Sequence, residues 1–138
     1  MSPATVPAQL LAILDATPDV RLAILFGSRA RGTGRPDSDL DLALRLGGEG
    51  LRGEPRLIAE LERAAGQALD VVLMDDAPPL LRFEIARDGV IVLERAAGEW
   101  ADFRARAMID WWDWAPYAAR FAASSVERLR SEVRRGAT

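Results

Sequence analysis

The sequence predicts an α+β domain, a small β-sheet with helices packed against it, followed by a helical extension at the C-terminus. Short apolar or alternating runs, typical of strands, take turns along the chain with segments whose apolar residues recur every three or four positions, as in amphipathic helices. After Glu99 the helical spacing persists and no strand pattern follows. The 138 residues match the size of one ordinary domain.

The first predicted elements are a helix and a buried strand. Ala8 to Ala16 has leucines on one helical face, and Val20 to Phe26 (VRLAILF) is a nearly continuous apolar run. Such a run is expected of a strand that is buried on both faces. Gly27 ends the strand, and Ser28 can cap a short helical turn over Arg29 to Arg31.

The next strand is predicted over Asp39 to Leu46 (DLDLALRL), which alternates strictly. Alternation places its four leucines on one face, which we expect to be the core face. Asp39, Asp41, Ala43 and Arg45 share the other face.

The second half of the chain predicts two further helices and two further strands. Helices are expected over Pro55 to Ala68 and Pro79 to Arg87, and strands over Leu69 to Met74 and Val90 to Glu94. Val71 and Leu73 are the expected core-facing residues of the third strand, so that its other residues point away from the core.

The extension after Glu99 contains an aromatic stripe at helical spacing, and Pro116 is expected to kink or divide the helix. We divide the chain into a core of residues 1–97 and a C-terminal extension of residues 98–138. The stripe is expected to pack on the chain's own sheet, and a partner surface is the alternative. Its members are Trp100, Phe103, Ala107, Trp111, Trp114, Ala118 and Phe121, and Leu129 and Val133 extend it. Trp112 falls off the stripe and is the expected exposed anchor.

Three absences narrow the possible chemistry. The chain contains no histidine and no cysteine, and all 18 of its basic residues are arginine. Imidazole bases, thiolate nucleophiles, Schiff-base lysines and the P-loop lysine are therefore excluded. The net charge of −3 gives no general attraction to nucleic acid, so no direct nucleic-acid binding is expected. No signal peptide and no apolar run of about 20 residues occurs, so we expect no membrane association and a cytoplasmic protein.

One constellation is suited to phosphate and metal chemistry. Gly27-Ser28 is separated by ten residues from Asp39-Leu40-Asp41. A glycine after a buried strand allows close approach of the backbone, and a serine at a helix start offers donors to phosphate. The two aspartates project from one face of a strand, and oxygen-only ligation suits Mg²⁺ or Mn²⁺. Asp70, at the start of the next strand, is the best third carboxylate, and Asp75 and Asp76 are the reserve choices.

These motifs carry a resemblance to a known family. GSRARG, PDSDLDLAL and LDVVLM resemble the DNA polymerase beta-like nucleotidyltransferase superfamily, and more closely its minimal nucleotidyltransferase (MNT) branch, over roughly residues 8 to 95. The resemblance implies the polymerase beta-like fold, with a small mixed sheet and flanking helices. It also implies a partner, because members of that branch commonly act as antitoxins to HEPN-domain toxins.

The resemblance implies a role for each motif residue. Gly27 and Ser28 would hold the triphosphate of ATP or another NTP, and Arg29 and Arg31 either neutralise phosphate charge or form salt bridges that hold the loop. Asp39, Asp41 and Asp70 would bind two Mg²⁺ ions, and Asp70 would also help to deprotonate the acceptor hydroxyl.

The reaction that the resemblance implies is transfer of a nucleoside monophosphate, with AMP expected on family grounds, to a hydroxyl of a HEPN toxin, and a tyrosine is the expected acceptor. Two alternatives stay open: a binding module that neutralises a toxin by covering it, and a small-molecule nucleotidyltransferase of the aminoglycoside type. A homo-oligomer also stays open.

Overall fold

Four strands form the sheet in the computed structural model of the protein. They are β1 (Val20–Phe26), β2 (Leu40–Leu46), β3 (Leu69–Leu73) and β4 (Val90–Glu94), and their order across the sheet is β3-β2-β1-β4. β1 runs antiparallel to β2 and β4, whereas β2 and β3 are parallel. The predicted mixed sheet is therefore confirmed, with the apolar strand β1 in its interior.

The structure describes residues 6–32, 39–47 and 54–118, together with residues 130, 131 and 133. Within the described part of residues 6–118 five helices are present: α1 (Ala8–Ala16), α2 (Gly27–Arg31), α3 (Glu54–Ala65), α4 (Pro79–Asp88) and α5 (Glu99–Ala118), with a 3₁₀ turn over Met74–Asp76. Residues 130, 131 and 133 are helical as well. Across all of the described residues, every helix is too short or too polar to span a lipid bilayer.

Two predicted helix boundaries need correction. α3 ends at Ala65 rather than Ala68, because Gly66 adopts a left-handed φ of 66° that terminates the helix. α5 continues through Pro116 to Ala118, so of the two expected outcomes, a kink or a division, the division is wrong.

The sheet is buried on both faces, as the apolar run of β1 predicts, whereas the patterns of β2 and β3 predicted a core face on one side only. The leucines of β2 and the expected core residues of β3 pack under α1 and α3, as predicted. The opposite face is covered by α4 and α5, so Ala43, Val72 and Met74 are fully buried as well. The alternation of residues along each strand places them on the correct faces of the sheet, but it does not reveal that helices cover both faces.

The first half of α5 belongs to this second core. Trp100, Phe103 and Ala107 are buried against α4 and the sheet, and Trp111 stacks on Phe83 with ring centroids 5.0 Å apart. Trp112 is 70% exposed, as predicted. Val133 packs against the same core, whereas Phe121, Leu129 and the side chain of Ala118 lie outside the described residues.

Arg95, at the end of β4, joins three elements through its side chain. Its Nε donates to the carbonyl of Val20 at 2.6 Å. Its Nη2 lies within 3.0 Å of the carbonyls of Leu14, Asp15 and Thr17, to which it also donates. The guanidinium therefore holds the end of α1 and the start of β1 against the end of β4.

We expect Arg95→Ala to lower the free energy of unfolding by about 2 kcal/mol, because it leaves the carbonyls of Val20 and Leu14, whose hydrogen bonds are partly buried, without their charged donor. Arg106→Ala is the matched control: its side chain is 70% exposed and pairs only with Asp102, one helical turn away, among the described residues. The control should cost less than about 0.5 kcal/mol. Urea denaturation measures both, and equal losses would contradict the structural role of Arg95.

Candidate active site

The predicted motifs meet at one edge of the sheet. Because β1 is antiparallel to β2, the end of β1 lies beside the start of β2, and Phe26 is the register partner of Asp41. Asp41 is in turn the register partner of Asp70 on β3. Leu25 pairs with Val90, so the end of α4 and the start of β4 reach the same edge.

Gly27 packs directly against the carboxylate of Asp41. Gly27 has a φ of 77°, a backbone angle that residues with a side chain rarely adopt. A Cβ atom at this position would overlap Oδ2 of Asp41 and lie 3.1 Å from its Cγ. Glycine is thus required both by the backbone conformation and by the close approach of the carboxylate. α2 begins at this glycine rather than at Arg29, and Ser28 follows within its first turn.

Asp70 lies beside Asp41 on the neighbouring strand. Parallel neighbours in register are about 4.8 Å apart and project to the same face. Both aspartates are partly buried and share the face of Ala43 and Val72. The reserve residues Asp75 and Asp76 follow the other end of β3, where Asp75 pairs with Arg45 at 3.1 Å. The structure therefore brings Asp70, and not the reserve residues, to Asp41.

Asp39 is exposed and directly precedes β2 at the same edge. Over residues 6–32, 39–47 and 54–118, no three acidic side chains are arranged so that they could hold a metal ion. The three predicted ligands thus lie along one edge, with Asp41 and Asp70 aligned, but their side chains do not form a complete metal site. Their oxygen-only chemistry still suits Mg²⁺ or Mn²⁺.

A cavity of about 390 Å³ opens beside Gly27, Ser28 and Asp41. Phe26, at the end of β1, also lines it. Its walls are charged and come from α2, α4 and the C-terminal segment: Arg31, Glu84, Arg87, Asp88 and Arg130. The dimensions and the mixed charge suit a polar ligand that carries phosphate.

Sequence reasoning missed four of these wall residues. Glu84, Arg87 and Asp88 lie on α4. Their position follows from the topology: β4 is antiparallel to β1, so β4 starts where β1 ends. Because α4 ends just before β4, it ends beside the same end of β1. Arg130 is one of several arginines near the C-terminus, and nothing in the sequence distinguishes it from the others. Of the two predicted arginines, Arg31 lines the cavity, whereas the side chain of Arg29 lies outside the described residues.

Asp88 holds two of the cavity's arginines. Its carboxylate accepts hydrogen bonds from Arg87 at 2.9 Å and from Arg31 at 2.8 Å, and its side chain is only 7% exposed. The hydrogen bond from Arg87 lowers the pKa of Asp88; burial opposes this shift, and Arg31 adds to it. The same contact raises the pKa of Arg87. Arg31 therefore forms a salt bridge, which was the expected alternative to neutralising phosphate charge. It also lines the cavity.

Comparison with known proteins identifies relatives of the chain. A family model described as polymerase beta, nucleotidyltransferase matches residues 8–97. A protein of Methanocaldococcus jannaschii, named as a candidate protein adenylyltransferase, is 37% identical over 75 residues, which cover 54% of this chain and 81% of that protein.

Two solved structures share the fold. A crystal structure of a toxin–antitoxin pair with AMP-PNP matches with a TM-score of 0.67 and 22% identity, covering 80% of this chain and 91% of the matched chain. A structure of a tri-AMPylated Shewanella oneidensis HEPN toxin in complex with MNT antitoxin matches with a TM-score of 0.59 and 20% identity, covering 76% and 82%.

We expect Asp88→Asn to lower the free energy of unfolding by about 1 kcal/mol at neutral pH, because its two arginine partners are half exposed and screened by water. The folded pKa of Asp88 lies below its unfolded value, so the stabilisation is complete above the unfolded pKa. It is lost as the pH falls through the folded pKa. The difference between the two proteins should therefore shrink below about pH 4.

Urea denaturation at several pH values measures this difference. Asp113→Asn, which removes an exposed carboxylate of α5, is the control and should show no comparable gap. A gap for Asp88→Asn that stays constant into acid would contradict the ion-pair origin of the stabilisation.

Proposed function

The chain belongs to the polymerase beta nucleotidyltransferase family and is a nucleotidyltransferase, and we propose that it transfers AMP from ATP to a hydroxyl group of a partner protein. One observation carries this proposal: the Gly27-Ser28 turn packs on Asp41, which is in register with Asp70, and the turn and Asp41 line a polar cavity. The turn that we propose to bind phosphate and the carboxylates that we propose to bind metal are therefore neighbours.

The donor set fits a divalent metal. Two carboxylates on neighbouring strands repel each other, and a cation between them removes that cost. Asp41 and Asp70 would hold Mg²⁺ or Mn²⁺, and the exposed side chain of Asp39 would have to turn toward them to complete a site for two ions. Metal bound there supplies positive charge that stabilises the phosphates and the departing pyrophosphate.

The chain's own residues bind and orient the reactants. The backbone at Gly27 and the hydroxyl of Ser28 would hold the phosphates, with positive charge from Arg31 at the cavity wall. The acceptor oxygen attacks the α-phosphorus, forming a P–O bond as the bond between the α-phosphorus and the bridging oxygen breaks. Pyrophosphate leaves, and the hydroxyl proton passes to the carboxylate of Asp70.

A protein acceptor is supported by the relatives. The Methanocaldococcus jannaschii protein is named for protein adenylylation, and the Shewanella oneidensis HEPN toxin is AMPylated in its complex with an MNT antitoxin. We propose a HEPN-type toxin as the partner and a tyrosine as the acceptor, so that the chain acts as an antitoxin. Because the reaction consumes ATP, we expect it to take place in the cytoplasm.

Label transfer tests the proposal directly. The purified protein is incubated with Mg²⁺, each α-³²P-labelled NTP in turn, and lysate of its own host. A labelled protein band with ATP is the expected result, and its mass identifies the partner. Label on a small molecule instead would support the aminoglycoside-type alternative. No label with any NTP, together with no magnesium-dependent NTP binding, would overturn the proposal.

We expect Asp41→Asn and Asp70→Asn each to reduce label transfer by about a thousandfold or more while the protein stays folded, because charge stabilisation by metal is worth several kcal/mol. Asp76→Asn is the matched control, since Asp76 is an exposed aspartate beyond the opposite end of β3. It should keep wild-type activity. An Asp41→Asn protein that retains a tenth of wild-type turnover would refute the metal-ligand assignment.

The same variant separates chemistry from occlusion. Wild-type protein or the Asp41→Asn variant is co-expressed with the partner that the label-transfer experiment identifies. Growth of the cells and formation of the complex are both measured. Lost neutralisation with an intact complex supports catalysis as the mechanism of the antitoxin. Unchanged neutralisation would instead support the binding-module alternative.

A further inference from the structure

We propose that Arg130, which lies in the C-terminal extension, completes the active site by binding the triphosphate of the nucleotide. This inference rests on the proposed function, because it assigns a further residue to the same nucleotide. The C-terminal extension would then contribute to nucleotide binding as well as to the fold.

The position of Arg130 is the first argument. Arg130 lines the same cavity as Gly27, Ser28 and Asp41, although more than half of the chain separates it from them in sequence. Its side chain is only 23% exposed. Val133, one helical turn further along, packs against the core formed by α4, α5 and the sheet. Two separate contacts thus place this part of the chain at the site.

An ion pair with α4 orients the side chain. Nε of Arg130 lies 3.2 Å from Oε2 of Glu84, whose side chain is itself only 18% exposed. A guanidinium has five N–H donors arranged as a rigid fork, so it can bind a carboxylate and a phosphate at the same time. Glu84 would therefore act as a positioning residue that holds the fork at the cavity wall.

The charge balance of the site is the second argument. The chain has neither lysine nor histidine, so an arginine must supply any side-chain cation to the phosphates. Of the three arginines that line the cavity, Arg31 and Arg87 both bind Asp88. Arg130 comes from another segment and pairs with a different carboxylate. It adds a third positive charge to the lining of the cavity, next to the proposed phosphate-binding turn.

Phosphate is the chemistry that fits this wall best. Hydrogen bonds from arginine to phosphate are charge-assisted and commonly bidentate. A contact of this kind should favour ATP, with its β- and γ-phosphates, over AMP. It should contribute little to the binding of the nucleoside.

The test compares ATP and AMP binding by calorimetry in the presence of Mg²⁺, using the full chain. We expect Arg130→Gln to weaken ATP binding by about tenfold or more. AMP binding should change by less than about twofold. Arg106→Gln, which changes the exposed arginine of α5, should bind both nucleotides like the wild-type protein. Inorganic tripolyphosphate, used as a competitor, should lose affinity for Arg130→Gln in parallel with ATP.

Glu84→Gln tests the positioning role. It keeps the charge of Arg130 but removes its ionic partner, so it should weaken ATP binding less than Arg130→Gln does, and AMP binding should again stay unchanged. If Arg130→Gln lowers the thermal unfolding midpoint strongly, Arg130→Lys replaces it: this variant keeps the charge but loses the bidentate fork. It should bind ATP with an affinity between those of the wild-type protein and a charge-removing variant.

The outcomes separate this inference from the proposed function. Wild-type ATP affinity in a folded Arg130 variant overturns the role of Arg130, and the nucleotidyl transfer proposal stands. Equal weakening of ATP and AMP also overturns it, because that result indicates a general effect on the pocket. If the wild-type protein binds no ATP and transfers no label, the proposed function fails, and this inference fails with it.

Discussion

The site depends on the contact between Gly27 and the carboxylate of Asp41. The contact exists because β1 and β2 are antiparallel and in a register that places Phe26 opposite Asp41. At Gly27 the chain leaves the sheet directly beside the carboxylate of Asp41, and α2 begins at the same residue. The parallel pairing of β2 with β3 then adds Asp70. The turn and the two carboxylates therefore form one unit, whose geometry is set by strand register.

The charges around this unit are arranged as pairs of arginine and carboxylate. Asp88 binds two arginines, and Glu84 binds Arg130. Arginine keeps its charge across the physiological range, and the chain contains no side-chain type whose ordinary pKa lies near 7. The cavity thus offers permanent positive charge, held in position by carboxylates. This arrangement suits the binding of polyphosphate better than it suits a switch that responds to pH.

Local patterns predicted much of the fold. The bounds of α1, β1 and β4 match their sequence patterns, because a helix of period 3.6 and a strand of period 2 leave a direct trace in apolar residues. The same patterns did not predict which helices cover each face of the sheet. They predicted burial of β1 on both faces but no covering helix for the face of β2 that carries Ala43, since a small residue does not itself report the aromatic helix above it.

The sequence by itself determined the element types, the spacing of Gly27-Ser28 and the two aspartates, and the restriction of the chemistry to carboxylates, hydroxyls, arginines and metal. These properties are local: they depend on residue type and on separation along the chain. The sequence also favoured Asp70 over Asp75 and Asp76 as the third carboxylate. Only the tertiary structure decided that Asp70 is in register with Asp41, and that Asp88 and Arg130 reach the cavity. Those neighbours come from strand order and helix packing, which bring together segments that are distant in the chain, and no local period encodes such contacts.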